Sequence, residues 1–585
     1  MKPRAAALVS LYGLLSIAFC LPLFEVPQGL GTNDWDQHLF YYGVVLKNLV
    51  EYGQMPFWNP WYCGGNVMWQ NPQVAILSPV YPLTMVMSLQ LAMKINIVLH
   101  YWIGFVGMHL VVTRIIGLTF LPAVIYLATL VTASGAPAIH LRVGHSVFLP
   151  GFYLPLQLYW FFKAYKTGEW KYVCLAAATL ALMVFNGGTH ILPMSIAALA
   201  TFSICAAVAR LDWRPLALAV MFGVAAVAYS APKLLPVVEF VNGDYFWDTR
   251  NPIEKPDRLT ADLLWQTYLV PTQDVGARLP SQRHGWHEYG NYIGLGSAIA
   301  LLAGFVYVFA GQGAAPRWFG ISLAVTTLVL FLLSLGEFGA LAPATVIQSL
   351  PLFSSFRIPS RYTIPFLQFA ALTLAWAIRS AIATHGLATI PKIVMTAAAL
   401  GASAHVIVMN QWNLKGVFTE PPFDTTFRWM AGPHQITTDT ESSPYTKGSP
   451  MLRALMANRS FYNCYESLQL ARGAGPGPPV LDANAPSRVS AVEFTPNRLT
   501  FTVEDGPQDA RIILNQNWAP GWRTTAGDIE VRPLTELSAV TVPPGRSGRH
   551  HFSFTPPRLL AGSLLLLLAM IATAFAWRRR VRPIF

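Results

Sequence analysis

Two carboxylates, Asp34 and Asp36, stand two residues apart in "GTNDWDQHLF", directly after the first apolar stretch of the chain. A carboxylate so placed can act as general base toward an acceptor hydroxyl. Gln37 and His38 follow at once, and "MPFWNPWYCGGNVMWQNPQ" then mixes Trp58 and Asn59 with glycines and amides, residues that stack on sugars and hydrogen-bond to them. An aromatic belt at a bilayer interface accounts for the tryptophans but not for the amides. Further polar turns supply His140, Arg142 and His145 in "IHLRVGHS", Asn186 and His190 in "NGGTH", Glu239 with Asp244, Asp248 and Arg250, and His287 and Glu288 in "SQRHGWHEYGNYIG". In "FSSFRIPSRY", Arg357 and Arg361 are four apart and share a face if the stretch begins a helix.

Arginine grips phosphate bidentately, so Arg357 and Arg361, with Arg142 and Lys233, are candidates for holding a phosphate. Gln37, His38, Trp58, Asn59, His145, His190, Glu239, His287 and Glu288 are candidates for contacting the rest of a substrate. A two-carboxylate hydrolase needs acids on opposite sides of the scissile bond, which Asp34 and Asp36 do not offer. A base facing phosphate-binding cations suits glycosyl transfer from a lipid-phosphate sugar.

These residues must be positioned by membrane helices. Hydrophobic residues make up 54% of the 585 and charged ones only 12%, about half the charge of a soluble protein. Twelve stretches approach the roughly 20 apolar residues of a span: 5–24, 95–113, 118–138, 147–163, 172–186, 190–209, 215–237, 291–310, 318–335, 362–381, 391–410 and 559–577. The first lacks a small-x-small cleavage site and reads as an uncleaved anchor.

Lys and Arg in the short connections (Lys2, Arg4, Arg114, Lys163, Lys166, Lys171, Arg210, Arg214, Arg317, Arg379, Lys392 and the "WRRRVRPIF" tail) put both termini in the cytoplasm. The net charge of +12 is then a topology signal, and no nucleic-acid partner is expected. The loops 25–94, 139–146, 186–190, 238–290, 336–361 and 411–558 all fall outside, and the bilayer itself is a partner.

Residues 1–410 form the transmembrane domain, with 25–94 its first external loop; 411–487 gives no clear element. Residues 488–558 alternate in short runs such as "RLTFTVED" and "HHFSFTP", the pattern of a small external β-sandwich. A last helix and basic tail occupy 559–585. Among the five cysteines no zinc spacing occurs, and Cys63 and Cys464, both external, are able to pair.

Four motifs in order, "NDWDQ", "MPFWNPWYCGG", "LLPVVEF…TR" and "HEYGNYIGLGSAIALL" with "FRIPSRY", resemble the YfhO-like family of bacterial membrane proteins, within the GT-C superfamily of polyprenyl-phosphate-sugar-dependent glycosyltransferases. The closing "NQNWAPGWRTTAGD…VPPG…FSFTPPRLLAG" also looks like that family's outer domain. The resemblance implies an inverting enzyme of the bacterial inner membrane, its catalytic face periplasmic. Its base would be an Asp of the first external loop, here Asp34 or Asp36. The donor would be a polyprenyl-phosphate-linked sugar and the acceptor an envelope glycan, lipid or protein. Some superfamily members use a divalent metal and others do not. The competing expectations are a lipid or glycan transporter, which needs ionisable groups at mid-membrane, and a non-catalytic envelope-assembly protein.

Overall fold

The computed structural model describes the chain except residues 1–2, 244–245, 249–257, 278, 280–281, 283, 312–315, 351–352, 354–357, 424–434, 437–446, 461–467, 471–476, 483–487, 531–536 and 581. Asp244, Arg250, Arg357 and Cys464 lie outside the described residues.

The helices are α1 (Pro3–Cys20), α2 (Trp35–Glu51), α3 (Leu89–Leu110), α4 (Leu121–Thr132), α5 (Gly135–Arg142), α6 (Leu154–Thr167), α7 (Trp170–Phe185), α8 (Ile191–Arg210), α9 (Arg214–Val241), α10 (Ala261–Leu269), α11 (Trp286–Tyr289), α12 (Leu295–Phe309), α13 (Arg317–Ser334), α14 (Pro343–Gln348), α15 (Thr363–His385), α16 (Thr389–Gln411), α17 (Pro450–Met456) and α18 (Leu559–Ala576). Among the described residues nine helical stretches are long and apolar enough to cross a membrane, so the chain is a multi-pass helical membrane protein. The count falls short of twelve for a physical reason. α7 and α12 are shorter apolar helices, and the expected span 147–163 is split. Its first part, Ser146–Tyr153, is a 3-10 helix around Pro150, and α6 then starts with Pro155 in its first turn. Proline has no N–H to give an α-helical ladder, and the 3-10 segment carries Phe148, which lines the site described below.

Short strand pairs decorate the loops: β1 (Trp58–Asn59) with β2 (Asn66–Val67), β3 (Phe246–Asp248) with β6 (Leu468–Leu470), and β4 (Gln435–Ile436) with β5 (Arg459–Ser460). The C-terminal domain has two sheets. One is ordered β12 (Ala539–Val542), β10 (Ala510–Leu514), β7 (Val480–Asp482); the other β11 (Trp522–Thr524), β13 (Gly548–Phe554), β9 (Arg498–Val503), β8 (Val489–Thr495). The sandwich therefore begins at Val480, inside the stretch expected to be irregular, and that stretch also contains α17. Alternate residues Leu499, Phe501, Val503, Phe552 and Phe554 fill its core, as period-two side-chain placement requires.

The first long loop fills a gap between the sandwich and the bundle. Trp58 is fully buried, 5.1 Å from the Trp522 ring and 4.8 Å from Phe554, and its indole N–H donates to Gln516 Oε1 at 3.0 Å. Gly65, at φ +101°, leaves no room for a Cβ beside Gln516 and Trp58. The Asn517 side chain donates to the carbonyls of Cys63 (2.5 Å) and Gly65 (2.9 Å). The "CGG" and "NQNW" motifs thus bind each other. Cys63 itself is disulfide-bonded.

Candidate active site

Asp34 is set by two backbone devices. Asn33 takes a left-handed conformation (φ +53°), and the turn after α5 closes on the other side, Asp34 N–H donating to Val143 O at 3.2 Å. Gly144, at φ +92°, makes the approach possible: a Cβ there would lie 2.4 Å from Trp35 N and 2.7 Å from the Asp34 carbonyl carbon. The Trp35 indole locks the joint by donating to Leu141 O at 2.7 Å. The "RVGHS" turn is shaped to meet "NDWDQ".

That turn brings His145 Nε2 to 3.6 Å from Asp34 Oδ2, and His145 Nδ1 to 3.0 Å from His140 Nδ1. His140 stacks on Phe148 with centroids 3.8 Å apart, and His190 stacks on Phe148 at 5.5 Å. Arg361 lies over Phe148 (5.2 Å), contacts His190 Nε2 at 3.2 Å, and grips Glu288 through Nε–Oε2 (2.7 Å) and Nη2–Oε1 (2.5 Å). The His287 ring is 5.8 Å from His145. Five separate loops converge here. The last two are pinned to each other and to α5: Ser360 Oγ donates to Glu288 O (2.7 Å), and Asn291 Oδ1 accepts from Ala136 N–H (3.1 Å).

Burial governs the charges. It pushes His145 down to about 4 and His190 well below the ordinary histidine value, the nearby cations overcoming the help of Glu288. Both imidazoles are neutral at pH 7. Burial alone would raise Glu288, but the Arg361 guanidinium holds its carboxyl well below the usual carboxylate range. The result is a neutral histidine wall between Asp34 and a buried, bidentate ion pair.

Asp36 has a different task. It is 1% exposed, and its two oxygens accept from the N–H groups of Met451 (2.9 Å) and Leu452 (3.1 Å), in the first turn of α17. A carboxylate at a helix N-terminus satisfies donors that the helix itself leaves unpaired. Burial, the largest influence, pushes Asp36 up to about 7 against the pull of those two bonds. The structure separates the two acids: Asp34 faces the histidines, and Asp36 fastens α17 to α2.

The remaining expected residues divide likewise. Arg142 is half-buried, three residues before His145, and has no ion-pair partner among the described residues. His38 is buried and pushed down to about 3, by burial first and His145 second. Gln37 is buried and donates to the Tyr41 hydroxyl at 2.9 Å. Four expected contacts are built into packing instead. Lys233 donates to Trp69 O (2.5 Å) and Asn71 O (2.8 Å), stapling the first loop to α9. Trp58 fills the sandwich junction, Asn59 Oδ1 accepts from Trp61 N–H at 3.2 Å, and Glu239 lies within electrostatic reach of Arg558 at the head of α18. Phe148 and Gly144 escaped the sequence reading as site residues; the only sign of Gly144 is a glycine between Arg142 and His145.

Ligand atoms of His140, His145 and Glu288 lie within 4.8 Å of one another, a two-imidazole, one-carboxylate set of the kind that binds a divalent transition ion. The set fits such an ion once Arg361 yields one of the two Glu288 oxygens it holds.

Fold and site define a multi-pass membrane protein with a histidine-rich polar centre at one end of its bundle. No protein-family profile and no curated protein matches the chain. Among solved structures, the chain is similar to the arabinofuranosyltransferase AftD from Mycobacteria (14% identity, TM-score 0.43, covering 71% of this chain and 27% of that one). It is also similar to the oligosaccharyltransferase of Archaeoglobus fulgidus tethered to an acceptor peptide (12% identity, TM-score 0.44, covering 81% and 65%). A third is the AglB oligosaccharyltransferase of that organism with an inhibitory peptide and a dolichol-phosphate (12%, TM-score 0.41, covering 79% and 64%). The chain thus spans about a quarter of the mycobacterial protein and under two thirds of the archaeal one.

Proposed function

We propose that the chain is an integral-membrane glycosyltransferase of the GT-C type, moving a sugar from a polyprenyl-phosphate donor to an acceptor on the periplasmic face of the bacterial inner membrane. The observation that carries the reading is the placement of Asp34, beside His145, opposite the buried Arg361–Glu288 pair across the histidine wall. Asp34 accepts the proton of the acceptor hydroxyl as its oxygen bonds to the anomeric carbon, and the bond to the phosphate oxygen breaks with its electron pair leaving on the phosphate. Attack opposite the leaving group inverts the centre. Arg361 receives the developing phosphate charge, Arg142 holds the phosphate in ground and transition state alike, and the His145 ring stands beside Asp34 at 3.6 Å. A divalent ion held by His140, His145 and Glu288 would add Lewis-acid stabilisation of that phosphate.

Orientation draws support from the opposite end of the bundle, where Arg210, Arg214, Lys163, Lys171 and the Arg580 tail gather, as cytoplasmic basic residues do. The transporter reading loses its main candidate, since Lys233 is satisfied by backbone carbonyls. The test is transfer by membranes carrying the wild type or Asp34→Asn, supplied with a panel of polyprenyl-phosphate sugars. Binding of one donor by both proteins, with transfer by the wild type alone, is expected; equal transfer by both ends the proposal.

A further inference from the structure

Outside the site, one surface feature is unexplained by any role given so far: the outward face of the four-stranded sheet. Directly opposed residues on antiparallel strands share a face. The register places Arg523 opposite Ser553, Ser553 opposite Arg498, and Arg498 opposite Thr495, one row across β11, β13, β9 and β8. Both arginines are exposed, and neither has an acidic partner among the described residues; Arg498 shares only a 3.0 Å contact with His551 Nδ1. Their strand neighbours Trp522, Leu499 and Phe554 point the other way into the core. The opposite end of the sheet is different. There Arg549 is paired with Glu493, Arg488 binds the Glu504 carbonyl, and Asp505 lies beside the Gly545 turn. Of the three arginines within these strands, the two without an acidic partner among the described residues stand in this one row, at the end where β13 leaves the sheet.

That end is held next to the membrane. β13 runs through Thr555–Arg558, with Pro556 and Pro557, straight into the apolar helix α18; a link of that length spans at most about 14 Å. It is tied at both ends. Thr555 N–H donates to Gly521 O at 3.1 Å, and Gly521, at φ +122°, would place a Cβ 2.4 Å from Thr555 O. Below it, Gly562 packs so closely on α9 that a Cβ would lie 2.4 Å from Ala231 O. The row therefore sits at a fixed height above the point where α18 meets the hydrocarbon, a third arginine, Arg558, lying between.

We infer that the row Arg523–Ser553–Arg498 docks the outer domain on the phosphates of anionic phospholipids in the leaflet that α18 enters. Guanidinium groups bind phosphate oxygens in a planar fork, and basic clusters beside a membrane helix are attracted to anionic headgroups over about one Debye length. The docking holds the sandwich, and through Trp58 the first loop, at a set tilt over the bilayer.

The test uses the full chain in nanodiscs of phosphatidylcholine with and without phosphatidylglycerol, read by hydrogen–deuterium exchange of β9, β11 and β13. Several-fold slower exchange near Arg498 and Arg523 is expected only in phosphatidylglycerol discs. Arg498→Gln with Arg523→Gln should abolish the difference, while Arg549→Gln, at the paired end, should retain it; unchanged exchange in β10 and β12 certifies the fold of each variant. Equal exchange in both discs, or loss of the effect by Arg549→Gln as well, overturns the inference. So does protection in phosphatidylcholine discs upon adding an acidic polysaccharide, which would make the row a polymer-binding face.

Discussion

The two ends of the bundle carry the same kinds of charged groups and use them differently. At the basic end Asp212 lies between Arg210 (3.6 Å) and Arg214 (2.5 Å), and Glu169 meets Lys171 and Arg580, all with access to water. At the other end Arg361 and Glu288 make one bidentate pair with 13% and 3% of their side chains exposed. In water such pairs contribute little and partners are exchangeable; once buried, each ion depends on the other. Charge at the basic end keeps access to water and is exchangeable, whereas charge at the site end is held in place against its own desolvation.

Removing one buried partner should have the largest effect on stability. Glu288→Gln leaves Arg361 uncompensated and should destabilise the protein by about 3–5 kcal/mol, seen as a lowered unfolding midpoint in scanning fluorimetry, whereas Asp212→Asn should leave the midpoint unmoved. If the two variants behave alike, the contrast between the ends fails. Next comes Asp36→Ala, which removes the cap of α17 and should cost about 1–2 kcal/mol, detected as faster amide exchange confined to 448–458.

Acidity sharpens the same comparison. Asp36 is raised from 3.8 to about 7, so its contribution is complete below the unfolded value and is lost as pH rises through about 7. Exchange in α17 should therefore quicken as pH passes 7, and Asp36→Asn should flatten that dependence. His145 is lowered from 6.5 to about 4, so its contribution is present above 6.5 and lost as pH falls toward 4. The unfolding midpoint should drop over that acid window, and less so in His145→Gln. The smallest effect belongs to Arg142→Ala, a few-fold rise in KM for the lipid-phosphate donor with kcat nearly kept, as expected of a group that binds ground state and transition state alike.

Much of this was legible in the sequence. Long apolar runs announce membrane helices whatever their neighbours, and period-two alternation announced the sandwich strands. The split at Pro150 was visible only as a pair of prolines, because bundle packing decides whether a proline kinks a helix or ends it. The loops that build the site could be named, since polar and titratable residues cluster in them, but their grouping could not. Asp36 looked equivalent to Asp34 because its partners, Met451 and Leu452, are 415 and 416 residues away. The amides and tryptophans of the first loop looked like a sugar-binding surface for a related reason. Groups that hydrogen-bond sugars also hydrogen-bond the protein itself, and here Trp58 and Gly65 are bonded to the C-terminal domain and Asn59 to the backbone of its own loop.

We propose that Asp34 does the chemistry while Asp36 holds α17 against α2. The most direct measurement is mass spectrometry of surface glycans from cells in which the chain is deleted and replaced, at matched expression, by the wild type, Asp34→Asn or Asp212→Asn. Asp34→Asn is expected to reproduce the glycan change of the deletion and Asp212→Asn to restore the wild-type pattern. A wild-type pattern from Asp34→Asn, beside a clear change on deletion, would contradict it.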